Sequence, residues 1–342
     1  MGLNFSLVTV VALILAVFLG VEVLGFAYLF GVIIPYLALA TFIVGFIVRI
    51  VKWGKAPVPF KIPTTVGQQK SLPWIKQNKI ENPSSTAGVV ARMALEVLFF
   101  RSLFRNSKAE LTGNRLVFQW EKWLWMAGLV FHWSFLIVVV RHLRFFLEPV
   151  PFFVRLIEKV DGFFLVDLQN VYITGILLLA AVTYLFVRRV IIPQVRYISF
   201  AADYFPLFVI MGIAGSGILM RYFTRVDVVA VKQMAIGLFT FNPVVPEGVN
   251  IIFYIHLFLV SVLLMYFPFS KLMHMGGIFL SPTRNMPNDN RAVRHVNPWN
   301  YPVEVHTYEE YEDEFRSKMK AVGLPLDKED DDSADEAAAT KE

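Results

Sequence analysis

The sequence predicts an all-α fold, a polytopic membrane helical bundle with six transmembrane helices. Hydrophobic residues make up 56% of the 342 residues and charged residues only 17%, whereas a soluble domain carries about 25% charge. Six apolar stretches are long enough to cross a bilayer, which takes about 20 helical residues. Basic residues concentrate in two of the connections, as is typical of membrane proteins.

Charged residues separate the six predicted spans. The first is a span rather than a cleaved signal peptide, because no Lys or Arg precedes it and apolar residues continue past any cleavage site. In chain order the predicted spans cover about 3–21, 24–48, 118–145, 168–187, 199–220 and 248–273.

The distribution of Lys and Arg predicts the orientation. Segment 49–115 carries 12 basic against three acidic residues, and connection 188–198 carries three Arg and no acidic residue, so both should be cytoplasmic. Connection 141–167 balances four basic against four acidic residues, which is typical of the outer side. Six spans then leave both termini in the cytoplasm, and the protein should lie in the cytoplasmic (inner) membrane.

The chain has no cysteine. This excludes a disulfide scaffold, a cysteine-ligated zinc or iron–sulfur site, and haem attached covalently through C-x-x-C-H. Residues 301–342 carry 14 acidic and five basic residues, a net charge of −9, so the total of +5 leaves +14 for residues 1–300. A basic chain this apolar indicates cationic membrane loops and no nucleic-acid partner.

Four of the six histidines lie in or at the edge of two spans: His132 and His142 in the third, His256 and His274 in the sixth. Ionisable groups at membrane depth are costly and usually functional. Ten residues of helix separate the first two by about 15 Å, and 18 residues separate the second two by about 27 Å and five whole turns. Each helix therefore offers an upper and a lower imidazole.

This arrangement suits bis-imidazole ligation of two non-covalent b haems, one axial His from each helix. Because the third and sixth spans run in opposite directions, His142 should pair with His256 near the outer side, and His132 with His274 near the cytoplasm. Arg141 and Arg144 flank His142, and they either reach the interface as snorkelling side chains or pair with haem propionates. Two other interpretations remain open: a membrane anchor with structural histidines, and a transporter with proton-coupling His and Arg.

The predicted organisation has four parts. Residues 1–50 hold two N-terminal spans, and 51–116 form a cytoplasmic loop with an amphipathic interfacial helix at 86–105. Residues 117–280 form a four-helix haem b-binding core. Residues 281–342 form a cytoplasmic tail, whose acidic end at 327–342 is predicted to be disordered.

Two segments resemble a known family. FHWSFLIVVVRH (131–142) and YIHLFLVSVLLMYFPFSKLMH (254–274) resemble the haem b gamma subunit of respiratory nitrate reductase, and the resemblance covers roughly 115–280. It implies a five-helix core, preceded here by one additional N-terminal span, and the same four ligands in the same pairs. It also implies that a Lys in the connection after the His142 helix helps to bind quinol, and Lys159 is the candidate.

The additional N-terminal span, the long cytoplasmic segment and the acidic tail resemble the DsrM branch of this family, the membrane subunits of DsrMK and DsrMKJOP complexes. That resemblance implies an electron-transfer subunit of a quinol-dependent oxidoreductase, without the terminal reductase site. It would exchange electrons between menaquinol, or menaquinone, and a cytoplasmic DsrK-like iron–sulfur subunit in dissimilatory sulfite and sulfur metabolism, with or without further membrane and periplasmic subunits. Membrane subunits of heterodisulfide reductase share the same core, so the acceptor stays open.

Overall fold

The computed structural model describes residues 2–56, 74, 76–166, 169–289, 293, 296 and 305–328. The chain divides into two compact units, Met1–His295 and Val296–Glu342. Most of the predicted disordered end, 329–342, lies outside the described residues, as does most of the Pro-rich part of the cytoplasmic loop.

Six long apolar helices build the first unit and confirm the predicted helical membrane bundle. Their bounds differ from the predicted ones by at most six residues, because the length of each apolar run determines where a helix can cross hydrocarbon. They are named spans 1 to 6: Gly2–Val23, Leu29–Gly54, Lys122–Phe146, Ile173–Ile191, Ala201–Tyr222 and Ile251–Phe269.

Local signals determine where several spans begin or turn. Gly25 adopts a φ of +69° in the turn between spans 1 and 2, a conformation that favours glycine. At the start of span 5 the Asp203 carboxylate accepts a hydrogen bond from the Phe200 N–H at 3.0 Å. At the start of span 6 the Asn250 side chain accepts one from the Ile252 N–H at 3.0 Å. Both are typical N-terminal caps.

Ion pairs between the ends of neighbouring spans define one end of the bundle. At one end, Arg188 Nη2 of span 4 lies 3.1 Å from Glu121 Oε2 before span 3, and Lys271 Nζ after span 6 lies 2.7 Å from Asp203 Oδ1 of span 5. We call this the basic end, because it carries the two Arg- and Lys-rich connections. The opposite end is the far end.

The connections contain elements that the sequence analysis did not predict. Strands β1 (Ser107–Thr112) and β2 (Arg115–Trp120) form an antiparallel hairpin with every residue exposed, and β2 occupies the predicted start of the third span. A short second hairpin pairs β3 (Phe164–Val166) with β4 (Gln169–Val171). Two far-end helices, Phe152–Asp161 and Val228–Phe239, are also new, as is the short helix Pro193–Tyr197. The helix predicted at 86–105 is interrupted at Phe100, where φ is +50°, so Arg101–Phe104 forms a separate short helix.

The amphipathic helix spans Thr86–Phe99 and presents its polar face to the protein. Arg92 and Glu96 are buried, whereas Val90 is 63% exposed, which suits a helix with its apolar side toward lipid. Before the helix, Glu81 forms ion pairs with Arg101 and Arg105. Burial alone would raise the pKa of Glu81, but the hydrogen bond and charge of Arg101 and the charge of Arg105 hold it below its ordinary value.

The described residues of the second unit, 296 and 305–328, include the helix Tyr308–Ala321, which has a capping box between Thr307 and Glu310. Glu312 is 1% exposed and accepts hydrogen bonds from the backbone N–H groups of Asp327 and Lys328 at 2.8 and 3.1 Å. The first two residues of the predicted disordered end are therefore folded against this helix.

Packing leaves the two histidine-bearing helices apart. Span 3 packs mainly on span 4, and span 6 packs on spans 1, 2 and 5, with at most marginal backbone contact between spans 3 and 6. Two buried clusters hold span 6 in place: Val17, Phe30, Met234 and Tyr254 in one, and Val10, Val209 and Leu259 in the other. The space between spans 3 and 6 is bridged by side chains.

Candidate haem-binding site

The four histidines meet as two pairs across that space, with the predicted partners. The ring centres of His142 and His256 lie 6.2 Å apart with planes at 6°. The ring centres of His132 and His274 lie 5.9 Å apart with planes at 83°. One pair is therefore nearly parallel and the other nearly perpendicular.

The ring separations test whether a haem iron fits between the partners. An imidazole nitrogen lies about 2.0 Å from a bound metal, and each ring adds about 1 Å from nitrogen to ring centre, so two ligands on one metal have centres about 6 Å apart. Both pairs have this separation. Rings in direct packing contact could lie closer, so the spacing fits shared ligation of one iron by each pair.

Hydrogen bonds orient the same nitrogen of each ring toward the protein. Nδ1 of His132 donates to the Gly128 carbonyl at 2.7 Å, and Nδ1 of His142 donates to the Val138 carbonyl at 2.7 Å. Nδ1 of His274 donates to the Lys271 carbonyl at 2.9 Å. Because the donating nitrogen carries the proton, Nε2 is left as an unprotonated ligand atom on each of these rings.

His274 does not lie on a continuation of span 6. The straight-helix prediction over residues 254–274 was wrong, because 3-10 turns at Phe267–Phe269 and Lys271–Met273 interrupt the helix and His274 begins a separate short helix, His274–Gly277. Pro268 lacks the N–H that would continue the α-helical ladder. The pairing with His132 depends on this interrupted segment rather than on helical periodicity alone.

Arg141 is held in a buried network at the far end. Its Nε lies 3.0 Å from Asp161 Oδ2, and the two side chains are 10% and 4% exposed. Asp161 also accepts hydrogen bonds from the N–H and hydroxyl of Thr174, at 2.8 and 2.6 Å. The Arg141 and Arg221 guanidinium groups stack on the Tyr172 ring, at 3.9 and 4.1 Å from its centre. This network orients the helix turn that carries His142.

Arg144 and Lys159 lie together at a far-end cavity of about 520 Å³. Arg144 Nη1 lies 2.9 Å from Glu158 Oε1, and Glu158, Asn170 and Tyr172 line the same cavity. Both arginines next to His142 thus have carboxylate partners within the protein. The cavity adjoins the Tyr172 network. Its cationic, carboxylate and aromatic groups could contact a ligand with a flat ring that carries polar oxygens.

Ser216 is a site residue that the sequence analysis missed. Its Oγ lies 2.9 Å from His256 Nδ1, so the fourth ring is also held through Nδ1, here by a residue of span 5. The small-residue run Gly212–Gly217 (GIAGSG) was the available signal, because small residues permit close helix approach in membranes. Tyr172 and Arg221 were not singled out either, since their contacts join distant segments.

The chain is similar to known proteins of one membrane family. The model of the nitrate reductase gamma subunit family matches residues 84–290, more than half of the chain. A protein of Archaeoglobus fulgidus named Hdr-like menaquinol oxidoreductase cytochrome b-like subunit is 47% identical over 284 residues, 81% of this chain and 85% of the relative. A protein of the same name from Archaeoglobus profundus is 42% identical over 275 residues, 78% of this chain and 81% of the relative.

Proposed function

The chain belongs to the nitrate reductase gamma subunit family, and from that premise we propose that it is the cytochrome b membrane subunit of a menaquinol oxidoreductase. It exchanges electrons between menaquinol at the far end and a cytoplasmic iron–sulfur subunit at the basic end. The observation that carries this proposal is the presence of two histidine pairs, each with ring centres about 6 Å apart.

The residues of the chain have separate roles in this proposal. His142 with His256, and His132 with His274, hold one b haem each, and when bound the two haems supply one-electron carriers at two depths of the membrane. The Nδ1 hydrogen bonds keep each Nε2 unprotonated and limit ring rotation. Phe100 contacts the His132 ring edge-on at 4.9 Å between ring centres and shields the basic-end pair.

The far-end cavity is the proposed menaquinol site. Lys159 lines it, and its ammonium group would donate a hydrogen bond to a quinol oxygen. Glu158 is the carboxylate among the lining residues, so it is the acceptor proposed for a proton that leaves the hydroxyl. Quinol oxidation releases two electrons and two protons, and with the far end outside, protons would leave there while electrons move inward. Proteoliposomes that develop no membrane potential during menaquinol-driven reduction of the partner would contradict this orientation.

The basic end is proposed to face the cytoplasm, with both termini on that side of the inner membrane. Segment 49–115 and the tail 281–326 would dock the iron–sulfur subunit, and the β1–β2 hairpin exposes Leu116 and Phe118 at 60% and 67% for such a contact. The relatives are named Hdr-like, which supports a partner of the heterodisulfide reductase class. The finer proposal is a DsrK-like partner in sulfite and sulfur metabolism, as in the DsrM branch.

Haem content tests the proposal. Purified protein should contain about two b haems per chain in a pyridine haemochrome assay. His132→Ala and His256→Ala should each remove about half of the reducible b-type absorption, because each residue belongs to a different pair. His306→Ala is the matched control, since His306 lies in the second unit and is exposed. A haem-free protein would favour a simple membrane anchor. Full spectra in the Ala variants of all four histidines, His132, His142, His256 and His274, would refute the assignment.

A further inference from the structure

We infer that Ser216 is a positioning residue that fixes the ring plane of His256 and thereby tunes the far-end haem site separately from the basic-end site. The inference rests on the haem-binding role proposed above. Three of the four ring Nδ1 atoms donate to a carbonyl of their own segment. His256 is held instead from another span, by the Ser216 side chain with the Ile213 carbonyl beside it.

The haem-binding role of His256 requires one direction for this hydrogen bond, and the contacts of Ser216 permit that direction. Ser216 Oγ lies 2.7 Å from the Gly212 carbonyl and 3.0 Å from the Ile213 carbonyl, and a carbonyl can only accept. When His256 Nε2 binds the iron, Nδ1 carries the ring proton, so Ser216 Oγ accepts this hydrogen bond at 2.9 Å and its own hydrogen is donated along span 5.

Close packing of spans 5 and 6 makes this contact possible. A Cβ added at Gly217 would lie 3.5 Å from His256 Cε1, and one added at Gly212 would lie 2.9 Å from Leu259 Cδ1. Leu259 is fully buried and Ser216 is 8% exposed, so water has little access to replace the hydroxyl. The ring of His256 is thus held between the small-residue face of span 5 and its partner His142.

The contact of Ser216 with His256 should affect the His142–His256 pair and not the His132–His274 pair. The far-end rings are nearly parallel at 6°, whereas the basic-end rings are nearly perpendicular at 83°. The relative orientation of two axial imidazole planes sets the splitting of the iron d orbitals, so the two sites should give distinct low-spin ferric signals. Removing the acceptor of the His256 N–H should both free the ring plane and reduce electron donation by the ring to the iron.

Electron paramagnetic resonance and optical redox titration of three variants test the inference. Ser216→Ala should shift the signal of the near-parallel pair and raise the midpoint potential of that haem, while the other signal and midpoint stay at their wild-type values. Ser216→Thr keeps the hydroxyl and should restore both wild-type properties. Ser261→Ala is the matched control, because Ser261 is also buried in the bundle but donates to Leu257 of its own helix.

The outcomes separate the two proposals. Wild-type protein without two b-haem signals would overturn the proposed function and this inference with it. Two wild-type signals that both persist unchanged in Ser216→Ala would overturn the role of Ser216 alone. That role would also be overturned if Ser216→Thr behaved like Ser216→Ala, or if Ser261→Ala produced the same shift, since either result would indicate general loosening of the bundle.

Discussion

Replacing Asp161 by Asn should destabilise the far end strongly, because it leaves the Arg141 cation buried without its carboxylate. Arg141 Nε and Asp161 Oδ2 are 3.0 Å apart, and the two side chains are 10% and 4% exposed. Breaking a buried ion pair by removing one partner costs about 3–5 kcal/mol. Arg141 keeps its stacking on Tyr172, so we expect a loss near the lower limit, about 3 kcal/mol, or about 100-fold in the unfolding equilibrium.

A double-mutant cycle separates the charge pair from general damage. Arg141→Gln should cost a similar amount, because it leaves Asp161 as the uncompensated charge. The double variant should cost far less than the sum, with a coupling energy of about 2–3 kcal/mol. The free energy of unfolding of the two single variants and the double variant is measured by circular dichroism, as a denaturing detergent is titrated into a mild one. Additivity within about 0.5 kcal/mol would refute the reasoning that the two charges stabilise each other.

Three further changes test other surfaces. Lys159→Ala should raise KM for a menaquinol analogue about tenfold, because one charged hydrogen bond is lost, and haem content should stay unchanged. Arg155→Ala on the same helix is the control. Equal effects of the two variants would contradict the role of Lys159 in quinol binding. Phe118→Ser should weaken co-purification of the cytoplasmic subunit with unchanged spectra, whereas Gln119→Ser on the opposite face of β2 should not. The pKa of Glu81 lies below its ordinary value of 4.5. The stability that the Glu81 carboxylate contributes to the fold is therefore present above pH 4.5 and lost as pH falls through the lowered pKa. Glu81→Gln should thus reduce the fall of the melting temperature at acid pH.

The spans could be predicted because crossing a bilayer is a requirement on local composition. An apolar run of about 20 residues forms a helix across hydrocarbon whatever its neighbours are. The β1–β2 hairpin was missed because its last three residues, 118–120, were taken as the start of the third span, although Gly113, with φ +62°, provides its turn. The helix Val228–Phe239 has only 12 residues, too few to cross.

The pairing of the four histidines was partly predictable. Spacing placed His132 and His142 correctly on one continuous helix, and the antiparallel direction of the two spans gave the partners. The sixth span departed from ideal geometry because of Pro268, and periodicity could not supply the position of His274. The interplanar angles of the pairs had no signal in the sequence, since they depend on hydrogen bonds that orient each ring.

By itself the sequence determined the membrane class, the six spans, the exclusion of cysteine chemistry and histidine as the candidate ligand, because composition and helical period are properties of contiguous residues. Only the tertiary structure decided that Arg141 pairs with Asp161, that Lys159 shares a cavity with Arg144 and Tyr172, and that Ser216 holds His256. These contacts join helices that are distant along the chain. Their geometry depends on how close the spans pack and how each is rotated, which the pattern of any one segment does not specify.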